Sequence, residues 1–228
     1  MGAIDLPDLV VFDFAGTLVA DRNQVPQAFA AALAGEGLVL APERLAKLRG
    51  ASKRQVIEDL LPRGPDRAAR ADRVHAEFRT RLHERLADEP FTELPGVAET
   101  FGWLARRSVR MALTTGFERA IAQPVLAELG WDIGVFAAIV CADEVARGRP
   151  APDLIHEAMI RTGVGRPDRV ANVGDTALDL RAGNAARVRW NIGVLSGAHG
   201  RAQLEDEPHT HLLASVAELP THVFAGGD

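Results

Sequence analysis

The sequence predicts an α/β protein: a Rossmann-like parallel sheet core with an all-helical domain inserted after its first strand. Three observations lead there. An unbroken apolar stretch at Leu9–Phe12 ends in an acid, a long run of helical periodicity follows, and strands alternate with helices beyond residue 93. The core is accordingly assigned to residues 1–19 and 93–228, and the helical insert to residues 20–92.

Leu9, Val10, Val11 and Phe12 show no polar alternation, as expected of a strand covered on both faces, and they put Asp13 at the strand's carboxyl end. Helices follow over 26–34, stopped by Gly35 and Gly37, and over 42–49, stopped by Gly50. Ser52 and Gln55 have the spacing of a capping box, which starts a third helix at Lys53 with Val56, Ile57, Leu60 and Leu61 inward. A longer helix over 65–87 brings Ala71, Val74, Phe78, Leu82 and Leu86 onto one face. Residues 91–95 read as a linker. Beyond them, helices over 97–107, 118–129, 151–161 and 178–186 alternate with strands over 109–114, 136–141, 169–173 and 190–194. Such alternation builds parallel βαβ units. A strand at 211–213 and a helix starting at Ser215 close the chain.

A net charge of -5 with scattered arginines argues against nucleic acid and anionic membrane as partners, while a small anionic ligand stays open. One cysteine, Cys141, allows no internal disulfide and reads as a small buried hydrophobe. The first residues lack the basic start and apolar run of a signal peptide, and no stretch is apolar enough to span a bilayer, so the expected location is cytoplasmic. His209 and His211 lack a third ligand and read as structural. Lys47 and Lys53 are the only lysines among 26 basic residues.

Later strand ends return to the edge that holds Asp13. Gly16 and Thr17 supply a flexible turn and a hydroxyl; Thr114, Thr115 and Gly116 supply hydroxyls and backbone N–H groups; Arg149 supplies a permanent cation; Asp175 and Asp179 supply two carboxylates one helical turn apart. A nucleophilic carboxylate, a hydroxyl donor, a guanidinium and a carboxylate pair suited to Mg²⁺ together fit attack on phosphorus.

The order and spacing of these motifs resemble the haloacid dehalogenase superfamily: D-x-x-G-T at Asp13–Thr17, T-T-G at Thr114–Gly116, G-R-P-x-P at Gly148–Pro152 and G-D-T-x-x-D at Gly174–Asp179. The resemblance implies that Asp13 carries an aspartyl-phosphoryl intermediate and that Asp13, the Ala15 carbonyl and Asp175 hold Mg²⁺, to which the carboxylate pair adds Asp179. It also implies that the insert is a cap and that two chains pair through it as a homodimer.

Phosphatases of the superfamily carry a second aspartate two residues after the nucleophile, as acid for the leaving oxygen. Here that residue is Ala15, and expelling an alkoxide without an acid forfeits roughly a hundredfold or more in rate. The D-x-A-G-T form resembles the phosphonatases, in which a cap lysine forms an imine with an aldehyde so that a C–P bond breaks to an enamine. Lys53 is the candidate, since arginine cannot form an imine and this chain otherwise favours arginine. Its place at a helix start beside Arg49 and Arg54 favours the free amine. Arg49, Val56 and Phe117 depart from the phosphonatase pattern of methionine, histidine and tyrosine at the matching places. The expected activity is Mg²⁺-dependent hydrolysis of a phosphonate-type C–P bond. Its substrate-binding groups are Thr17, Lys53, Thr115, Gly116 and Arg149, and its catalytic groups are Asp13, Lys53, Thr114 and Arg149. The alternatives are a phosphoryl hydrolase of a small phosphorylated metabolite in which Lys53 only grips substrate, a dehalogenase, and a non-catalytic phospho-metabolite binder.

Overall fold

In the computed structural model the described residues are 5–131 and 134–224. The chain divides into two compact units: residues up to Ala20 together with Thr92 onward, and Asp21–Phe91 between them.

The first unit opens with β1 (Leu9–Phe12), whose four side chains are fully buried, and β2 (Val19–Ala20). The second unit holds α1 (Gln24–Gly35), α2 (Pro42–Ala46), α3 (Lys53–Leu60) and α4 (Arg67–Asp88). The first unit resumes with β3 (Thr92–Glu93), α5 (Val97–Ala105), β4 (Arg110–Thr114), α6 (Arg119–Glu128), β5 (Ala138–Val140) and α7 (Asp153–Thr162). It ends with β6 (Val170–Gly174), α8 (Ala177–Ala186), β7 (Trp190–Val194), α9 (Arg201–Glu205) and β8 (His211–Leu213).

Among the described residues the main sheet is six-stranded and parallel, in the order β5-β4-β1-β6-β7-β8. From β1 the chain builds outward to β4 and β5, then crosses back to build β6, β7 and β8 on the other side. The strand order therefore reverses at β1, and the crevice at the carboxyl ends of β1, β4 and β6 is the place where such sheets bind ligands. One face of the sheet packs Leu9, Val11, Val140 and Val170 against Leu154 and Ile155 of α7. Around Phe12 the aromatic rings of Phe101, Trp131 and Phe136 meet edge to face.

The helical unit has its own core. α4 packs along α1 and α3, with Phe29 and Phe78 edge to face at 5.7 Å and Leu33, Ile57 and Leu82 buried beside them.

Some expectations are corrected. Residues 91–95 are more than a linker, because Thr92 and Glu93 pair antiparallel with β2. The Ser52–Gln55 capping box is not formed: Ser52 makes no side-chain cap, and exposed Gln55 instead donates to Asp59 Oδ1 at 3.2 Å. Leu60 and Leu86 are only partly buried. α9 had no sequence signal, since its five residues complete barely more than one turn. The helix expected from Ser215 is a 3₁₀ turn over Val216–Glu218 running into a wider turn over Leu219–Val223. His209 lies outside the strand that contains His211. Among the described residues no helix is long and apolar enough to cross a membrane.

Candidate active site

β1 delivers Asp13 to the switch point, where its N–H extends the ladder by donating to the Val173 carbonyl at 2.9 Å. The chain then turns tightly: the N–H groups of Thr17, Leu18 and Val19 all point at the Phe14 carbonyl, and Gly16 adopts φ 98°. Phe14 packs against the rings of Phe117 and Trp131, which anchors this turn on an aromatic bed. Ala15 sits half-buried in the turn, and its methyl group can neither give nor take a proton.

The four charged groups expected at this edge are brought together and buried. Asp13 is 6% exposed, Arg149 7%, Asp175 1% and Asp179 1%, so none is a surface charge. Carboxylate oxygens of Asp13, Asp175 and Asp179 lie within 4.8 Å of one another, the one such group of potential metal ligands among the described residues. Arg149 holds two of them: Nη1 is 2.7 Å from Asp13 Oδ1 and Nε is 2.7 Å from Asp179 Oδ1. Both are close charge contacts rather than aligned hydrogen bonds.

Each acid has a separate attachment. Asp179 Oδ2 accepts from the Thr176 N–H at 3.0 Å and the Thr176 hydroxyl at 2.6 Å, so Asp179 caps α8 as well as facing the cluster. Asp175 Oδ2 accepts the Ala198 N–H at 2.6 Å, and Thr17 Oγ1 lies 3.4 Å from Asp175 Oδ1. Burial pushes the Asp13 carboxyl up to about 7; the Asp179 charge adds to this, while Arg149 and the Phe14 N–H oppose it. Burial acts to lower the Arg149 pKa, but the carboxylates of Asp179, Asp13 and Asp175 outweigh it and the net shift is upward.

Thr114 is buried, accepts Arg149 Nη2 at 2.7 Å and gives its own proton to the Phe12 carbonyl at 3.3 Å. It orients Arg149 here. Thr115 Oγ1 accepts the Phe117 N–H at 3.1 Å, and Gly116 is half-buried beside it. Residues 196–199 went unnoticed in the sequence because their contacts to the site run mostly through backbone atoms.

In the helical unit Lys53 opens α3 and is 8% exposed, so it is not a surface lysine. Its Nζ donates to the carbonyls of Ala51 at 3.0 Å and Leu48 at 3.1 Å, and lies 5.5 Å from the centre of the Phe29 ring. The two neighbouring arginines are tied to acids: Arg49 to Asp21 at 2.6 Å, and Arg54 to Glu58 at 2.6 Å and Asp72 at 2.9 Å. Cys141 is fully buried, and burial pushes its thiol up to about 12, which keeps it inert.

The sequence pattern of the haloacid dehalogenase-like hydrolases matches residues 7–187. A phosphonoacetaldehyde hydrolase of Bacteroides fragilis is 30% identical over 247 aligned positions, covering 96% of this chain and 89% of that one. One from Latilactobacillus sakei is 28% identical over 96% of this chain and 88% of its own. A solved structure of a hydrolase from Pseudomonas syringae superposes with a TM-score of 0.83 at 26% identity, over 94% of this chain and 96% of that one. A phosphonoacetaldehyde hydrolase-like protein from Oleispira antarctica shares the fold, with a TM-score of 0.81 at 21% identity over 96% and 91%.

Proposed function

Since the chain belongs to the haloacid dehalogenase-like hydrolases, we propose that it cleaves the C–P bond of a small aldehyde phosphonate of the phosphonoacetaldehyde type. The observation that carries this reading is Ala15: the turn after Asp13 lacks the acid an alkoxide leaving group needs. The relatives named above support it.

In this reading Asp13 is the nucleophile. The Lys53 amine condenses with the substrate aldehyde, releasing water and leaving a protonated imine as electron sink. A carboxylate oxygen of Asp13 forms a bond to phosphorus, the C–P bond breaks, and its electron pair moves into the imine to give an enamine. Water then releases phosphate from Asp13, and hydrolysis of the enamine, once protonated on carbon, returns the Lys53 amine and the aldehyde. Arg149 bears on the charge gathering at the phosphoryl oxygens, oriented by Thr114. Thr17, Thr115 and Gly116 are the remaining groups assigned to the phosphoryl oxygens.

The donor set fits a hard divalent cation, since three buried carboxylates face a single guanidinium and all the candidate ligands are oxygens. Asp13, Asp175, Asp179 and the Ala15 carbonyl would hold Mg²⁺. Once bound, it would offset the negative charge between Asp13 and the phosphoryl group.

Turnover of phosphonoacetaldehyde against a panel of phosphate monoesters, with Mg²⁺ and with chelator, tests this. The phosphonate should be preferred by roughly a hundredfold or more, following the missing acid. Esters turned over as fast would overturn the reading. A phosphoryl hydrolase that uses Lys53 as a cationic grip is the second reading. It draws on one observation: Nζ is held by two carbonyl oxygens, which suits an ammonium donor.

A further inference from the structure

Residues 196–199, directly after β7, lie outside every motif that carries the family resemblance, yet they close around Asp175. The Ala198 N–H donates to Asp175 Oδ2 at 2.6 Å, and the His199 N–H donates to the Asp175 carbonyl at 3.3 Å. The Ser196 hydroxyl donates to the Gly16 carbonyl at 2.8 Å. His199 is itself buried, and its Nδ1 accepts the N–H of Ala177, the first residue of α8, at 3.1 Å. One short loop is thus fastened to the turn after β1, to the Asp175 side chain, and to the start of the helix that carries Asp179.

Sterics add an independent observation. A Cβ on Gly197 would stand 2.0 Å from Asp175 Oδ2, and one on Gly16 would stand 2.3 Å from the same oxygen. Two glycine backbones from distant parts of the chain press on one carboxylate, and neither position admits a side chain while Asp175 stays where it is.

Resting on the divalent-cation reading above, we propose that Ser196–His199 is a positioning element that holds Asp175 as a one-oxygen ligand and thereby sets the affinity and the choice of cation. Oδ2 is committed to a short backbone N–H bond, and the two glycine backbones packed against it oppose the turn that would bring both oxygens onto one cation. The carboxylate therefore offers a cation Oδ1, the oxygen nearer the Thr17 hydroxyl. Asp179 is treated alike, with Oδ2 spent on Thr176 and Oδ1 toward the cluster. Ligands that give one oxygen each suit the small octahedral Mg²⁺ ion, whereas Ca²⁺ takes more oxygens and accepts two from one carboxylate. His199 acts through this loop and touches no reacting atom.

Calorimetric titration of Mg²⁺ and of Ca²⁺ into the whole chain tests the proposal on His199→Leu, His199→Asn and Gly197→Ala. Leucine removes the acceptor of the Ala177 N–H, asparagine replaces it with an amide oxygen, and alanine pushes directly on Asp175. His199→Leu and Gly197→Ala should weaken Mg²⁺ binding about tenfold or more, the size typical when a ligand loses its support. They should also narrow the preference for Mg²⁺ over Ca²⁺, a readout that mere destabilisation would leave unmoved, while His199→Asn stays close to the unmodified chain. If Gly197→Ala does not fold, the two His199 variants decide. Unchanged Mg²⁺ affinity and ion preference in His199→Leu would overturn the positioning role, and equal loss in both His199 variants would overturn the acceptor role of Nδ1. An unmodified chain that takes up no Mg²⁺ would sink the cation reading itself, and the proposal with it.

Discussion

The two units treat buried charge in opposite ways. The α/β unit gathers Asp13, Arg149, Asp175 and Asp179 out of water, with Arg149 in contact with two of the acids and a backbone or hydroxyl donor on Asp179 Oδ2 and on both oxygens of Asp175. In the helical unit most of the ion pairs described are partly exposed, with Arg49–Asp21, whose acid side chain is buried, as the exception. Arg54–Glu58 and Arg81–Glu77 are partly exposed pairs one helical turn apart, and the buried cation Lys53 rests on carbonyl oxygens and an aromatic ring. Taking charges from water costs several kcal/mol each, so a buried cluster that is not needed for packing points to chemistry. Surface pairs solvate a helix and can be lost one at a time. The difference is between an interlocked set and a collection of independent contacts, and substitutions can break it or sharpen it.

The largest effect is expected at the centre of the interlocked set. Asp13→Asn should lower turnover of any substrate by at least about a hundredfold while circular dichroism stays unchanged, because an amide cannot attack phosphorus. Activity near the level of the unmodified chain would remove Asp13 from the nucleophile role. Lys53→Arg comes next. It keeps the cation but not the amine, so it should lose nearly all C–P cleavage, about a hundredfold or more, and borohydride with an aldehyde phosphonate should leave a mass adduct on Lys53 only in the unmodified chain. An active Lys53→Arg would leave Lys53 as a grip and favour the second reading.

Arg149→Leu should destabilise by about 3 kcal/mol or more, since it strands two buried carboxylates, which for a chain of this size means a melting point roughly 6–12 °C lower. Added Mg²⁺ should recover part of that loss, and a melting curve that does not move would show that the cluster is less interlocked than its distances suggest. The smallest effect belongs to the helical unit. Arg54→Ala removes two partly exposed pairs, with Glu58 and Asp72, and should change stability by less than about 1 kcal/mol, as read by urea unfolding. A larger change would erase the contrast between the units.

Much of the α/β unit was legible because its signals are local. An unbroken apolar strand, a helix stop at glycine and alternating periodicity each occupy a few consecutive residues, and parallel pairing follows from their order. The main acids and Arg149 were legible for a related reason: Asp13 and Asp175 sit just past the carboxyl end of a strand, Asp179 in the first turn of the helix after β6, and Arg149 in the connection from β5 to α7. Capping shows where such reading stops. Ser52-x-x-Gln55 and Thr176-x-x-Asp179 have the same local form, yet only the second closes. Thr176 and Asp179 are buried, with no water competing for their hydrogen bonds, whereas exposed Gln55 turns to Asp59.

The sequence alone therefore determined the α/β class, the order of elements and which residue types meet at the sheet's edge, since all three depend on spacing along the chain. Tertiary structure alone decided which contacts those residues make. That Thr114 gives its proton to Phe12, that Arg149 spans Asp13 and Asp179, and that Asp175 is held between Gly16 and the Ala198 N–H depends on atoms far apart in the chain. Backbone donors and the space left by a missing Cβ have no residue-type signature, so they become visible only when the fold brings them together.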